Sequence, residues 1–302
     1  MNKNHIGSED LSIVLQGPSK LGKLDTALRA AKSARKWFPE SEIVLSCWAN
    51  DEIGAVSKYV DAVVTSVDPG PQLLNDGVLN VNRQIVSSAA GSERASRPFV
   101  LKARTDLIFS SKNIWGEYLK QRGVFRGIDA RDPIMITNLT TINPNRHNRY
   151  FALCDWIYLG PKKLVTELFS VPYFPEEYLD FKVDGHSRVR YNAEQWIALN
   201  FFKSRGLDLK NFPNGYVDGK EVSRLHMELI GQYFTLSSWY RLGLKTQKHR
   251  ITSFSLDNMY TQKEWLRSFC GTGDGVDLER LVIAGLYNSR LRRFIRRALT
   301  RA

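Results

Sequence analysis

The fold is decided near the start of the chain by residues 11–48, LSIVLQGPSKLGKLDTALRAAKSARKWFPESEIVLSCW. Leu11–Leu15 is a short apolar run typical of a buried strand, and residues 25–38 space their apolar side chains as a helix with one buried face does. Ile43–Trp48 is the next apolar run, so the order is strand, helix, strand. This order predicts a parallel βαβ unit, with ligands at the carboxyl ends of its strands.

The same alternation continues along the chain. Val60–Val64 and Pro98–Ala103 predict two further strands, and Leu79–Ala90 predicts a helix between them. Beyond residue 110 the pattern is looser and predicts strands at Val124–Ile128, Ile134–Thr137 and Trp156–Leu159. Later helices are predicted at Pro161–Phe169, Asn192–Phe202, Glu264–Cys270 and Val276–Thr300. We therefore expect one α/β domain over residues 1–225 and a helical C-terminal extension over residues 226–302.

Composition excludes several classes of protein. Of the 302 residues, 43% are apolar and 25% are charged, which is ordinary for a globular protein and excludes disorder, collagen and coiled coil. No apolar run approaches the roughly 20 residues that a membrane-spanning helix needs. The first ten residues carry no apolar segment typical of a secretion signal, and the three cysteines form no CxxC pair. We expect a soluble cytoplasmic protein, and the net charge of +12 indicates an anionic partner.

Half of this net charge lies in the last fourteen residues. Residues 289–302, SRLRRFIRRALTRA, hold six arginines and no acidic residue. On a helical wheel the apolar side chains form one stripe and the arginines cover the rest, a pattern typical of helices that lie on anionic membranes. A terminal helix packed on its own domain is the alternative. Nucleic acid is not expected as a partner, because the other basic residues are not interleaved with stacking aromatics.

The loop after the first strand is similar to a phosphate-binding loop. Gly17, Gly22 and Lys23 complete the pattern GxxxxGK between a strand and a helix. Leu24 stands where that pattern needs a hydroxyl for Mg²⁺, and Pro18 removes one backbone amide. A P-loop phosphotransferase is therefore the weaker alternative, although such a loop can still bind phosphate through its amides.

A second candidate site follows the strand at residues 98–103. Asp106 stands where a parallel strand gives way to a loop, and an acid there can hold a metal or a ribose at the open edge of a sheet. Lys102 and Arg104 place two cations beside it, which suits a diphosphate. The alternative is a structural Asp106 paired with Arg104.

Three more polar groups are candidates. Asn82 and Arg83 stand at the start of the second helix, where they suit a base or a sugar, although Asn82 also suits helix capping. Asp155 stands beside Trp156 on a short strand, which suits a carbohydrate or an ordinary core. Glu194 begins the helix AEQWIALNFF, where it can act chemically or simply favour the N-terminal dipole.

Taken in order, these motifs resemble the WavE-like lipopolysaccharide-synthesis family, whose bacterial members have a glycosyltransferase-A-like domain. The resemblance extends over about residues 11–200. The matching stretches are residues 13–18 (IVLQGP), 35–39 (RKWFP), 42–48 (EIVLSCW), 80–85 (NVNRQI), 102–106 (KARTD), 154–160 (CDWIYLG) and 194–195 (EQ).

The resemblance implies a fold, a reaction and a location. The fold is α/β and glycosyltransferase-A-like, a mixed and mostly parallel sheet with flanking helices, with donor binding over about residues 11–110 and acceptor binding over about residues 111–225. The reaction is transfer of a sugar from a nucleotide-sugar to a lipid-linked glycan in lipopolysaccharide or capsule biosynthesis. The enzyme would be peripheral to the inner face of the inner membrane. A non-catalytic scaffold on that surface is a further alternative.

The resemblance also implies roles for single residues. Those expected to bind the nucleotide-sugar and its diphosphate are Gln16, Gly17, Asn82, Arg83, Lys102, Arg104 and Asp106. Proteins of this fold hold Mn²⁺ or Mg²⁺ with a DxD motif, and Arg104-Thr105-Asp106 lacks the first acid, which leaves Asp106 as the expected metal ligand. Glu194 and Asp155 are the candidate catalytic bases. Glu194 is preferred because a helix N-terminus keeps a carboxylate ionised.

Overall fold

Thirteen strands and eight helices make up the described part of the chain, which in the computed structural model is residues 6–74, 77–125, 132–183, 186–248 and 254–287. The strands are β1 (Leu11–Gln16), β2 (Glu42–Trp48), β3 (Ala62–Ser66), β4 (Gln72–Leu74), β5 (Gly77–Leu79), β6 (Phe99–Arg104), β7 (Leu107–Phe109), β8 (Ile134–Thr137), β9 (Ile157–Pro161), β10 (Phe181–Val183), β11 (His186–Arg188), β12 (Phe234–Ser237) and β13 (Leu244–Thr246). The helices are α1 (Thr26–Trp37), α2 (Val81–Arg94), α3 (Asn113–Val124), α4 (Lys162–Phe169), α5 (Ala193–Lys203), α6 (Lys220–Tyr233), α7 (Gln262–Cys270) and α8 (Leu278–Tyr287).

The central sheet has seven strands in the order β12-β8-β9-β6-β1-β2-β3. Strand β9 is antiparallel to both of its neighbours, β6 and β8, and the other neighbouring pairs are parallel. One edge of the sheet therefore gathers the carboxyl ends of six strands and the amino end of β9. The predicted mixed, mostly parallel sheet with flanking helices is confirmed.

Apolar side chains cover both faces of this sheet. Along β1, Val14 points into the core shared with α2, α4 and α5, whereas Ile13 and Leu15 point into the core shared with α1 and α3. All three side chains are fully buried, as are nearly all of their neighbours on β2 and β6. A parallel strand covered by helices on both faces reads as a continuous apolar run, which is why the sequence shows β1 so clearly.

Most of the predicted elements before residue 110 and after residue 155 are present within a few residues of their predicted bounds. The strand predicted at Val124–Ile128 is wrong at its start, because Val124 ends α3, and residues 126–128 lie outside the described residues. The sequence does not predict helix α3, because Gly116 and Gly123 are poor helix formers that interrupt this segment. Helix α6 and strand β12 were also not predicted, although both are well packed.

The region after residue 225 supplies strands as well as helices. Strand β12 joins the central sheet beside β8, and β13 pairs with β7. Helix α8 represents the described part of the predicted helix Val276–Thr300, and the arginine-rich residues 289–302 lie outside the described residues. The domain boundary at residue 225 stays a prediction. Within the described ranges, no helix is both long and apolar enough to span a bilayer.

Candidate active site

A cavity of about 580 Å³ opens at the carboxyl edge of the sheet. It lies around the ends of β1, β2 and β6 and the start of β9 and α2. Its lining residues are Gln16, Gly17, Pro18, Leu21, Trp48, Asp68, Asn80, Arg83, Gln84, Arg104, Thr105, Asp106, Asp155, Ala193 and Lys248. Six of the nine residues predicted from the sequence are among them, and Asn82, Lys102 and Glu194 are not.

The floor of the cavity is the junction between β1 and β6. Gln16 is in register with Arg104, and its carbonyl accepts a hydrogen bond from the Thr105 amide at 2.9 Å. Gly17 follows with a φ of +126°, and a Cβ there would stand 3.0 Å from the Thr105 hydroxyl oxygen. Only glycine suits this turn, because it has no Cβ to clash at such a φ. The Gln16 side chain donates to the hydroxyl of Ser87 on α2 at 2.8 Å, which ties the floor to that helix.

Arg104 organises the charges of the cavity. Its Nε and Nη2 donate to the two carboxylate oxygens of Asp106 at 3.0 and 2.6 Å. Its Nη1 lies 3.8 Å from Asp155 Oδ2, and its guanidinium carbon lies 5.1 Å from the centre of the Trp156 ring. Burial alone would lower the pKa of Arg104. The charges of Asp155 and Asp106 outweigh this effect, so the pKa is raised. One cation thus faces two acids, each lining the cavity.

Lys102 lies beneath the cavity and not in it. The side chain is fully buried, and Nζ donates to the backbone carbonyl of Asp155 at 2.5 Å. Its ammonium also lies 5.6 and 5.5 Å from the rings of Tyr158 and Phe169. Burial lowers its pKa to about 8, against the opposing charge of Asp155. The contact holds Asp155, two residues before β9, in place.

A second ion pair borders the cavity at the start of α2. Arg83 donates from Nε and Nη2 to both oxygens of Asp68 at 2.7 and 2.5 Å, and from Nη1 to Asn80 Oδ1 at 3.1 Å. The guanidinium holds the pKa of Asp68 below its usual range. Asn82 points elsewhere, since its Oδ1 accepts a hydrogen bond from the Phe174 amide at 2.7 Å.

The structure adds lining residues that the sequence did not single out as a site. Trp48 ends β2, and Asp68 follows β3, so the strand-end argument applied to β1 and β6 would have found both. Gln84 lies one turn into α2, and its Nε2 is buried without a hydrogen-bond partner among the described residues. Lys248 carries no sequence signal. It reaches the cavity because β13 pairs with β7 and the Gln247 amide donates to the Asp106 carbonyl at 2.9 Å.

Glu194 lies in the first turn of α5, beside the lining residue Ala193. Asn192 caps this helix by accepting a hydrogen bond from the Gln195 amide. Burial, followed by the charge of Asp155, raises the pKa of Glu194 to about 7. The expectation that the helix N-terminus would keep this pKa low is therefore wrong, because loss of hydration outweighs the dipole. Among the described residues Glu194 has no basic group within 4 Å, whereas Asp155 has Arg104.

The residues at Asp106 do not fit the metal expected there. Both of its oxygens are engaged by Arg104, and the side chain is only 6% exposed. Mg²⁺ and Mn²⁺ prefer several oxygen ligands. Within the described part of the chain, no group of three or more histidine, cysteine or acidic side chains is placed to share an ion.

The loop after β1 does not form a phosphate cradle. The amides of Gly17, Ser19, Leu21 and Leu24 are used by Ser46, Asp51 and the loop itself. Lys20 forms an exposed ion pair with Glu52, at 2.6 Å. Because a P-loop needs several free amides around the phosphates, the local structure disfavours the phosphotransferase alternative.

Several solved structures are similar to this chain at low sequence identity. S. aureus TarS is 13% identical with a TM-score of 0.37, over 64% of this chain and 33% of TarS. The 4-diphosphocytidyl-2C-methyl-D-erythritolsynthase of Anaerococcus prevotii is 14% identical with a TM-score of 0.36, over 72% of this chain and 95% of that one. A cytidylyltransferase from Leptospira borgpetersenii is 10% identical with a TM-score of 0.33, over 56% and 67%. Likenesses this weak carry no argument about activity.

Sequence comparison is more decisive. No curated protein matches the chain. One family model, described as WavE lipopolysaccharide synthesis, matches residues 11–300. That match includes the cavity and nearly all of the chain, and it agrees with the resemblance seen in the motifs. The chain belongs to the WavE lipopolysaccharide synthesis family.

Proposed function

We propose that this protein is a glycosyltransferase that moves a sugar from a nucleotide-sugar to a lipid-linked glycan in lipopolysaccharide or capsule biosynthesis. The observation that carries the proposal is the 580 Å³ cavity at the carboxyl edge of the sheet, which Arg83, Arg104 and Lys248 all line. Open α/β sheets bind ligands at this edge. These three cations can bind a diphosphate, whose oxygens would compete for the two arginines with Asp68, Asp106 and Asp155 in the same cavity. The family supplies the link to lipopolysaccharide.

The donor nucleoside would bind on the side of Trp48 and α2. The Trp48 ring offers an apolar surface for a base. The Gln84 Nε2 is buried, has no hydrogen-bond partner within the described ranges, and would gain one from a carbonyl or hydroxyl of the donor. Gln16 and Gly17 would then form the floor below the diphosphate, and Arg83 its flank. Asn82 would help indirectly by anchoring the start of α2 to the Phe174 amide.

Arg104 would stabilise the leaving group. As the bond between the sugar and the diphosphate breaks, negative charge grows on the leaving oxygen, and a preorganised guanidinium stabilises that charge. Asp106 holds the guanidinium by two hydrogen bonds, so Asp106 acts as a positioning residue. Lys102 positions Asp155 in the same way, through the backbone carbonyl. We propose no metal in this step, because Asp106 is engaged by Arg104.

Glu194 is the proposed base for an inverting transfer. The acceptor hydroxyl oxygen forms the new bond to the anomeric carbon, and its proton passes to the carboxylate. A pKa near 7 lets Glu194 both accept and release a proton at neutral pH. Asp155 is the second candidate, and it already faces Arg104 at 3.8 Å.

A thermal-shift screen of nucleotide-sugars, with and without EDTA, tests this proposal. A cognate donor should raise the Tm in both conditions, and the free sugar should not. Gln84→Met should weaken donor binding about tenfold, the cost of losing one buried hydrogen bond. Gln262→Met is the matched control, since Gln262 is a buried glutamine outside the cavity. If no nucleotide-sugar binds, a non-catalytic scaffold is favoured. If EDTA abolishes binding, a metal ion takes part in donor binding after all.

A further inference from the structure

Helix α8 and the residues just before it expose four apolar side chains to solvent, whereas Ile283 of the same helix is buried. Leu278, Leu281 and Val282 are 71%, 59% and 60% exposed, and Val276, just before the helix, is 66% exposed. These side chains share one face of the helix, since positions three and four apart are neighbours on its surface. A helix of a soluble protein ordinarily turns such a face toward the core.

The opposite, charged face of α8 is held against the protein. Glu279 accepts hydrogen bonds from Asn138 Nδ2 at 2.5 Å and from Ser238 Oγ at 2.6 Å. Arg280 donates to both carboxylate oxygens of Glu264, at 3.0 and 2.5 Å. These bonds prevent the helix from rolling its apolar face inward. The exposure is therefore built into the fold.

An apolar cavity of about 470 Å³ adjoins this face. The residues that line it include Asn138, Trp239, Tyr240, Leu278, Glu279 and Val282. Tyr240 at its rim is 64% exposed and lies against the guanidinium of Arg241, at 5.8 Å. An exposed aromatic ring beside a basic residue is typical of positions at a membrane interface.

The sheet places this surface on the same edge as the donor cavity. Asn138 directly follows β8, and Trp239 is the second residue after β12, so both lie at carboxyl ends of strands. Strand β6, which ends in Arg104, is two positions from β8 in the sheet. Neighbouring strands are about 4.8 Å apart, so these two strands are separated by roughly 10 Å.

We propose that Val276, Leu278, Leu281, Val282 and Tyr240, together the α8 surface, insert into the head-group region of an anionic bilayer. Charge indicates an anionic bilayer as the partner, because six arginines follow within residues 289–302 and the whole chain carries a net charge of +12. The same charge would oppose a second copy of the chain on this surface. Docking would turn the open edge of the sheet, with the donor cavity, toward the lipid that carries the acceptor. The inference rests on the proposed function only where it names the lipid-linked acceptor; insertion of the α8 surface is argued independently.

Vesicle binding by surface variants is the first test. Full-length protein should cosediment with phosphatidylglycerol vesicles, and Leu281→Ser/Val282→Ser should weaken that binding at least about tenfold, since two apolar side chains no longer leave water. Leu73→Ser/Val78→Ser is the matched control, because these side chains are 72% and 58% exposed on the hairpin of β4 and β5. Equal binding by the Leu281→Ser/Val282→Ser variant and wild type would overturn the proposal.

A dye placed on the surface reports insertion directly. An environment-sensitive dye on Leu281→Cys should shift to shorter wavelength with phosphatidylglycerol vesicles, and the same dye on Leu73→Cys should not. A shift without vesicles that disappears when residues 289–302 are deleted would show that the chain covers its own surface. A dimer in solution that Leu281→Ser/Val282→Ser makes monomeric would show a second copy there. Either result overturns the proposal.

Donor binding separates this inference from the proposed function. If the Leu281→Ser/Val282→Ser variant binds nucleotide-sugars as wild type does but no longer binds vesicles, both proposals are supported. If wild type binds vesicles through the α8 surface and no nucleotide-sugar at all, the glycosyltransferase proposal fails alone.

Discussion

Arg104 shows how one side chain joins two carboxylates that lie 49 positions apart in the sequence, Asp106 and Asp155. The sequence offered two alternatives for Asp106, a metal ligand or a structural partner of Arg104, and the geometry favours the second. Asp106 is also buried.

Asp106→Asn should leave the chain folded and remove most of the transferase activity. An amide cannot balance the guanidinium, so Arg104 would turn toward Asp155 and away from the diphosphate. Loss of one partner of this largely buried pair should lower the free energy of unfolding by about 2 kcal/mol. Urea unfolding and turnover of the purified variant measure both effects. Asp274→Asn, at an exposed position, should change neither, and wild-type turnover in Asp106→Asn would refute the positioning role.

Glu194→Gln should lower turnover by roughly 10²-fold or more and leave donor affinity nearly unchanged, because a general base acts in the transition state. Wild-type activity should fall about tenfold per pH unit below pH 7, where the carboxylate becomes protonated. Steady-state kinetics from pH 5 to pH 8 measure this profile. Equal losses of affinity and turnover would transfer the role to Asp155.

The raised pKa of Glu194 also predicts how the stability of the fold depends on pH. The folded protein keeps the Glu194 proton up to about pH 7, whereas the unfolded chain releases it near the ordinary value of 4.5. The protonated carboxyl thus favours folding at low pH, and this contribution is lost as pH rises through 7. Glu194→Gln should be more stable than wild type at pH 8, by about 3 kcal/mol at most, and similar at pH 4. Glu40→Gln, at an exposed position, should show no such difference.

Helix α2 supplies Arg83 and Gln84 to the cavity, and its distance from the sheet is set by one glycine. A Cβ on Gly91 would stand 2.4 Å from Val14 Cγ1 and 2.9 Å from Ser46 Cβ. Both neighbours belong to central strands, so they have little room to yield.

Gly91→Ala should therefore lower the free energy of unfolding by about 1–3 kcal/mol and weaken donor binding by displacing the start of α2. Gly116→Ala in α3 is the matched control, because among the described residues no atom outside its chain neighbours and the backbone of its own helix lies within 4 Å of the added Cβ. Helix propensity alone should make that variant up to about 1 kcal/mol more stable. Thermal unfolding of the two variants compares them, and a stabilised Gly91→Ala would contradict the close packing.

At the scale of the whole molecule, we expect the arginines of residues 289–302 to hold the enzyme on its membrane. Each contributes roughly 1 kcal/mol near an anionic leaflet, so six contribute about 6 kcal/mol at best and less after screening by salt. Deletion of residues 289–302 should leave a folded protein that keeps its activity on a short soluble acceptor and loses activity on the lipid-linked one. Liposome cosedimentation and circular dichroism check both points. An unfolded truncated protein would show that this segment is core.

Sequence patterns alone predict the parallel strands β1, β2, β3 and β6 and the edge at which their carboxyl ends meet. The sequence shows β1, β2 and β6 as apolar runs and α1 as a segment with one apolar face. This is because a buried strand or helix face requires apolar side chains at regular positions along the chain. The order of these elements then places Gln16, Gly17, Arg104 and Asp106 at one edge. The same reasoning extended to β2 and β3 reaches Trp48 and Asp68.

The pairing of the charges and the set of side chains that reach the cavity become visible only in the folded structure. Lys248 lines it through the pairing of β13 with β7, and Asn82 and Lys102 are turned to other partners. The pKa of Glu194 is raised by burial and by Asp155, neither of which is visible in the local sequence. The apolar periodicity of α8 likewise does not say that its charged face lies inward. Local patterns record whether a side chain is apolar, whereas pairing and burial depend on segments that meet only after the chain has folded.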